Sequence, residues 1–388
     1  MKIIIALLLL LTGLFSVPAK GDTNEVRLLC LNIGKADCLL LFYQDTCWLI
    51  DTGYEANYNA LKTAIEAYHI DHFDGVFLSH CHEDHYGGLM SLARSSVPVN
   101  AWYASETWFD VKKGKHPAVL AAKERGEDCT WLSDGDVIPV GTDASFTVLG
   151  PLSVNMENEN NNSLVLHFSS PAGSILLCGD MKEDEEMELL ADGRIRPCTL
   201  VKAGHHGDNH SLTKPFLAAS HPEAAVISTS TAEEPDTPSP TTLKRLKAAG
   251  CATYVTQDYH DAILFTLSNG KVSQVQDVEW NGVPSRIDGI TLDIDCYLDT
   301  VTLRNTADTS ADLNGYILYS TKGDETLLLE GPVLGSGESW VIGSRHALGP
   351  VDQTWDEKSV WSDKKRDVGI LYDPWGRPIA VADNGIED

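Results

Sequence analysis

The chain has 388 residues, 43% hydrophobic and 22% charged, enough for one large domain and a smaller one, each with its own core. Its 29 Lys and Arg face 56 Asp and Glu, a net charge of −27. That field repels nucleic acid and anionic membranes and admits a polyanion only where a local site holds it.

The first 19 residues, MKIIIALLLLLTGLFSVPA, put a lysine ahead of a short apolar run and end on a small residue. This is the pattern of a cleaved export signal and is short for a membrane span, so the mature protein is expected to be secreted. Nine cysteines are scattered without CxxC spacing, several of them inside apolar strand patterns. They read as small buried hydrophobes, although an odd count leaves one thiol free or paired between chains.

Residues 25–53 predict three short strands with turns at Gly34-Lys35 and Gln44-Asp45. A helix is expected over about 57–69, with Leu61, Ala64, Ile65 and Tyr68 on one face. The strand 75–79 then runs into the loop HCHEDH, which opens the next helix. Further strands are expected at 146–150, 163–168, 174–178, 199–203 and 224–229, and a helix at 240–249 with Ser239 as N-cap and Gly250 past its end. A hairpin turning at Asn269-Gly270 closes this α/β unit. Beyond Gly282 the helical period disappears. Residues 287–388 alternate short β-like runs with Gly, Asp and Asn turns, the pattern of a separate β-sandwich, joined through the Gly/Pro-containing stretch 280–289. Removing residues 287–388 is expected to leave a folded first domain.

Three strand ends deliver metal-binding side chains. His80 and His82 face one cation, Asp84 and His85 face a second, and Asp180 lies past a buried strand where it can bridge both. His205 and His206 follow a third strand. One such loop alone could be an accident of composition; three in agreement point to a binuclear centre. His69, His72, His116, His210 and His221 lack such placement and read as surface or turn residues, and His167 as an outward strand residue.

The stretch SHCHEDHYGGL resembles the HxHxDH signature of the metallo-β-lactamase superfamily, which implies an αβ/βα sandwich. LNIGKADCLLL, LIDTG, NNNSLVL, LLCGDM and VKAGHHG, in that order, resemble the hydrolase domain of ComEC-type competence proteins, over roughly 25–278. The segment 287–388 resembles a lamin-tail domain, an immunoglobulin-like sandwich. The resemblance implies His80 and His82 as first-metal ligands, Asp84 and His85 as the second-metal pair, Asp180 as the bridge and His205 as the late ligand. It implies Asp84 and His206 as the residues acting on the nucleophile and the substrate, without deciding which of His205 and His206 binds metal. Asp51 matches an acid that orients a ligand histidine. The third first-metal histidine common in the superfamily is replaced by NENNNSLVLHF, where Asn162 is a candidate helper, and Ser239-Pro240 stands where relatives carry His-Pro.

Two divalent ions are expected, zinc with manganese as the alternative. The expected activity is an exported phosphodiesterase, with DNA among its substrates. Lactones, β-lactams and cell-wall phosphodiesters are alternatives, and a non-catalytic surface-binding protein is the reading from another class. A basic patch over 111–125, near Trp102, Tyr103 and Trp108, is the candidate for holding a strand. The second domain is expected to dock a cell surface or a protein partner.

Overall fold

A computed structural model describes residues 25–109 and 111–386; the expected export signal lies outside them. β1 (Glu25–Leu31), β2 (Leu39–Tyr43) and β3 (Thr46–Ile50) pair antiparallel. Along β1, Val26, Leu28 and Cys30 enter one core while Leu29 and Leu31 enter another. A period of two with both faces apolar marks strands covered on both sides. α1 (Tyr58–Ala67) buries Ala60, Leu61, Ala64 and Ile65 against the outer face. β4 (Gly75–Leu78) is followed by α2 (Glu83–Tyr86), α3 (Leu89–Arg94), β5 (Trp102–Ser105), α4 (Pro117–Glu124) and β6 (Cys129–Leu132).

β7 (Val137–Val140), β8 (Ala144–Gly150), β9 (Val165–Ser170) and β10 (Gly173–Leu177) begin a second sheet. It continues through α5 (Glu183–Ala191), β11 (Leu200–Lys202), α6 (Lys214–Ser220), β12 (Ala224–Ile227), α7 (Pro240–Ala249) and β13 (Ala252–Val255). β14 (Ala262–Ser268) and β15 (Lys271–Val278) return to the first sheet. Their turn puts Asn269 and Gly270 at φ 53° and 73°, as a tight right-twisting hairpin requires. The strand orders are β15-β14-β1-β2-β3-β4-β5-β6 and β13-β12-β11-β10-β9-β8-β7. Trp48, Phe77, Phe146 and Phe168 interlock between the two sheets, and helices cover the outer faces. This is the αβ/βα sandwich. β5, β6 and β7 were not among the expected strands; β4 and β12 are as short but are unbroken apolar runs, whereas Ser105, Thr130 and Pro139 interrupt these three.

The C-terminal strands are β16 (Ile290–Asp295), β17 (Thr300–Asn305), β18 (Ala311–Asp312), β19 (Ile317–Ser320), β20 (Glu325–Leu328), β21 (Val333–Leu334), β22 (Ser339–Gly343), β23 (Gln353–Thr354), β24 (Val368–Tyr372) and β25 (Pro378–Asp383). Sheets β16-β17-β22-β23 and β20-β19-β24-β25 enclose Val301, Leu303, Leu318, Ile342, Trp361 and Leu371, an all-β sandwich. It is not free of the first domain. Ala56 shares a cluster with Tyr319, Val368, Ile370 and Tyr372, and the Tyr54 ring lies 4.9 Å from that of Tyr319. Arg377 reaches Asp261 at 3.5 Å and donates to the Pro284 carbonyl at 2.8 Å. All nine cysteines are unbridged, and Cys30, Cys38, Cys81, Cys178, Cys198, Cys251 and Cys296 are buried, as small hydrophobes. Among the described residues no helix is long and apolar enough to cross a membrane.

Candidate metal centre

β4, β10 and β11 end on one rim, and their loops carry the cluster. His80, Asp84, His85, Asp180 and His206 are buried, while His82 and His205 are half-buried. Two ligand groups share Asp180: His80, His82 and Asp180 form one, and Asp84, His85, Asp180 and His206 the other, with donor atoms within 4.8 Å of each other in each. In the first, His80 Nε2 lies 2.9 Å from His82 Nδ1 and 3.8 Å from Asp180 Oδ2. In the second, Asp84 Oδ2 is 3.1 Å from His206 Nε2, and Asp180 Oδ1 is 3.2 Å from His85 Nε2.

The histidines are pre-oriented. His85 donates from Nδ1 to Asp51 Oδ2 at 2.8 Å, and His206 from Nδ1 to the Ser228 carbonyl at 2.7 Å, so each turns Nε2 inward. Asp51 therefore has the orienting role that the resemblance implied, and it also accepts from the Ser79 amide and hydroxyl. Asp51, His205 and His206 have φ of 58°, 40° and 52°, a left-handed backbone that non-glycine residues adopt where the surroundings impose it.

Between His205 and His206 the resemblance makes no choice, and only one of the two rings joins the cluster. The ring inside the second group is His206, whereas His205 Nε2 stays 4.0 Å from Asp180 and its Nδ1 donates to Asp208 at 2.8 Å. Asn162 does not help the cluster: its amide is committed to Asn155 and Glu159.

The electrostatics favour cations. Burial opposes charge on Asp84, but Lys35, His85 and His206 outweigh it and hold the carboxyl well below the usual range. Burial likewise opposes charge on Asp180, and His206 and His85 overcome it. Burial, then His85, pushes His80 well below an ordinary histidine, towards the neutral ligand form. His85 Nε2 and Asp180 Oδ1, both buried, lie 3.2 Å apart without hydrogen-bond geometry and have no other hydrogen-bond partner. Orphaned polar atoms converging in a buried cluster of His and Asp are what a bound divalent ion would satisfy. The donor set fits two such ions.

Sequence reasoning missed a layer behind the ligands. Asp37 and Lys202 form a fully buried ion pair, and Lys35 Nζ lies 3.0 Å from Asp84 Oδ2. A lysine inside the apolar strand LVK was the signal available for the first pair. The basic patch is only partly as expected. Lys112 and Lys115 are exposed, but Trp102 is core, Tyr103 stacks 5.0 Å from Phe77, and Trp108 stacks 4.7 Å from Trp131. His116 and His167 are buried: His116 packs edge-on against Trp108 and Trp131, and His167 Nε2 lies 3.3 Å from the Pro197 carbonyl.

Residues 32–231 match the family model of the metallo-beta-lactamase superfamily. The chain is 27% identical over 238 residues to ComE operon protein 3 of Bacillus subtilis, covering 55% of this chain and 29% of that protein. It is 28% identical over 268 residues to competence protein ComA of Neisseria gonorrhoeae, covering 68% of this chain and 36% of that one. It thus spans about a third of the length of these relatives. Among solved structures, the metallo-beta-lactamase fold protein YhfI from Bacillus subtilis aligns at 12% identity and TM-score 0.40, over 62% of this chain and 99% of that one. With its HxHxDH loop, an aspartate common to two clusters of His and Asp, and more than half of its length matched, the chain belongs to the metallo-beta-lactamase superfamily.

Proposed function

We propose that the protein is an exported hydrolase that uses two divalent metal ions to cleave phosphodiesters. The observation that carries this reading is the pair of ligand groups sharing Asp180. His80 and His82 with Asp180 would hold one ion, and Asp84, His85 and His206 with Asp180 the other. The nitrogen-rich donor set suits zinc, with manganese as the alternative. Ions held by these residues would supply an activated water, its pKa lowered from about 15.7 towards about 7, and would offset charge on the leaving oxygen. The chain's own part is to fix the tautomer of His85 and His206 and aim each Nε2 inward, through Asp51 and the Ser228 carbonyl. Asp84 aligns the attacking water. His205, fixed by Asp208 and half-exposed at the rim, faces the substrate side. Similarity to competence proteins makes DNA a substrate to test, and a compact cell-wall phosphodiester is the alternative.

Elemental analysis of protein purified without chelator is expected to find about two ions per chain, together with hydrolysis of bis(p-nitrophenyl) phosphate that chelation abolishes. Protein free of metal and inert after loading with zinc or manganese would refute this reading.

A further inference from the structure

We propose that Lys35 is the specificity-determining residue of this site, donating from its ammonium group to a negatively charged phosphoryl oxygen of the substrate; this rests on the phosphodiesterase reading. Lys35 Nζ lies 3.0 Å from Asp84 Oδ2, the same oxygen that His206 approaches to 3.1 Å. The ammonium therefore stands beside the second ligand group, and its side chain keeps 21% exposure.

Its position is imposed by three parts of the chain. Gly34, at φ 88°, turns the backbone between β1 and β2, and a Cβ there would overlap Glu233 Oε1. The Lys35 amide donates to Glu233 Oε2 at 2.9 Å, and Glu233 is itself buried. The Glu233 carbonyl accepts from Arg366 Nη2 of the C-terminal sandwich at 2.7 Å, and a second arm of Arg366 lies 3.6 Å from Glu234. A buried carboxylate and an arginine from another domain are thus committed to one turn. A lysine that merely offset Asp84 would need neither.

Charge supplies the chemistry. In the loaded site four positive charges from two divalent ions meet the single charges of Asp84 and Asp180, with neutral histidine ligands. Lys35 adds one more positive charge, inside a protein whose overall field is negative. Such a point favours a scissile group that brings its own negative charge, which a phosphodiester does and a neutral lactone does not. Asp84, once shared with an ion, no longer needs the whole of the ammonium, and Lys35 can donate outward. Arg366 and Glu233 act through Lys35 as positioning residues.

The test uses full-length, metal-loaded protein and inorganic phosphate as probe, by titration calorimetry with metal content measured in parallel. Lys35→Gln is expected to keep both ions and to bind phosphate roughly ten- to a hundredfold more weakly, the scale of one charge-assisted hydrogen bond. Lys35→Arg is expected to recover most of that affinity, and Lys271→Gln, at an exposed position of the β14–β15 hairpin, to behave as wild type. Equal phosphate affinity in wild type and Lys35→Gln, or no phosphate binding by loaded wild type, would overturn the assignment. Loss of metal together with phosphate in Lys35→Gln would overturn it too, by assigning the lysine to the ion site. Phosphate binding that depends on Lys35 in a protein that cleaves no phosphoester would uphold the anion site while refuting the phosphodiesterase reading.

Discussion

His205 and His206 are neighbours in sequence, yet their rings do different work, because each sits at positive φ and points its own way. Metal content measured on variants separates them. His206→Ala is expected to hold one ion and His205→Ala two, while Asp180→Asn, which alters both groups, is expected to lose most metal and the most activity. Two ions in His206→Ala would show that His206 is not a ligand. Asp51→Ala should weaken the second ion by roughly 10- to 100-fold, the usual cost of releasing a ligand histidine from its orienting carboxylate. Away from the metal, burial pushes His116 down from 6.5 to about 4. The unfolded chain then binds more protons than the folded one between these values. The stability from the neutral ring is complete above pH 6.5 and is lost as pH falls to about 4. The loss is on the order of 3 kcal/mol. Denaturant midpoints against pH should show this slope in wild type and a flatter one in His116→Phe; identical slopes would refute it.

At the level of elements, the loop between β5 and α4 is tied to the site through a relay of polar contacts. The Phe109 amide donates to Glu159 at 2.7 Å, Glu159 accepts from Asn162, and neighbouring Asn161 accepts from the Lys182 amide, two residues past Asp180. This loop carries the exposed Lys112 and Lys115, so it is the element that would track a nucleic-acid strand. Changing both to Glu is expected to raise KM for single-stranded DNA and to flatten its salt dependence, with bis(p-nitrophenyl) phosphate cleaved as before. DNA cleavage unchanged in the double variant would remove this loop from the substrate path, and absent DNA cleavage in wild type would favour the compact phosphodiester.

For the whole molecule, the sandwich behaves as a wall of the hydrolase domain. Residues 287–388 carry 8 Lys and Arg against 19 Asp and Glu. Two of those basic residues, Arg366 and Arg377, are the ones turned towards Glu234 and Asp261. Truncation after Arg286 would bare Tyr54 and Ala56 and leave the buried Asp261 without Arg377. The truncated protein is expected to melt lower by more than about 5 °C and to bind phosphate more weakly, since its Glu233 turn loses Arg366. A truncation as stable as the full chain, with equal phosphate affinity, would restore the picture of two separable domains.

The sequence by itself determined the strand alternation, the α7 caps, the Asn-Gly hairpin and the HCHEDH loop with Asp180 and the paired histidines at strand ends. Each of these is written within a few consecutive residues, because strand period, turn conformation and ligand spacing are local properties. Only the tertiary structure decided what depends on distant partners. His206 meets Asp84 across 122 residues, Lys35 meets Asp84 across 49, and the Lys35 amide meets Glu233 across 198. The Ser228 carbonyl that orients His206 across 22 residues, the buried Asp37–Lys202 pair and the docking of the sandwich on Tyr54 are of the same kind. A charge or aromatic ring buried by a remote neighbour leaves no period in its own segment, since the free energy that holds it there comes from the contact and not from the local chain.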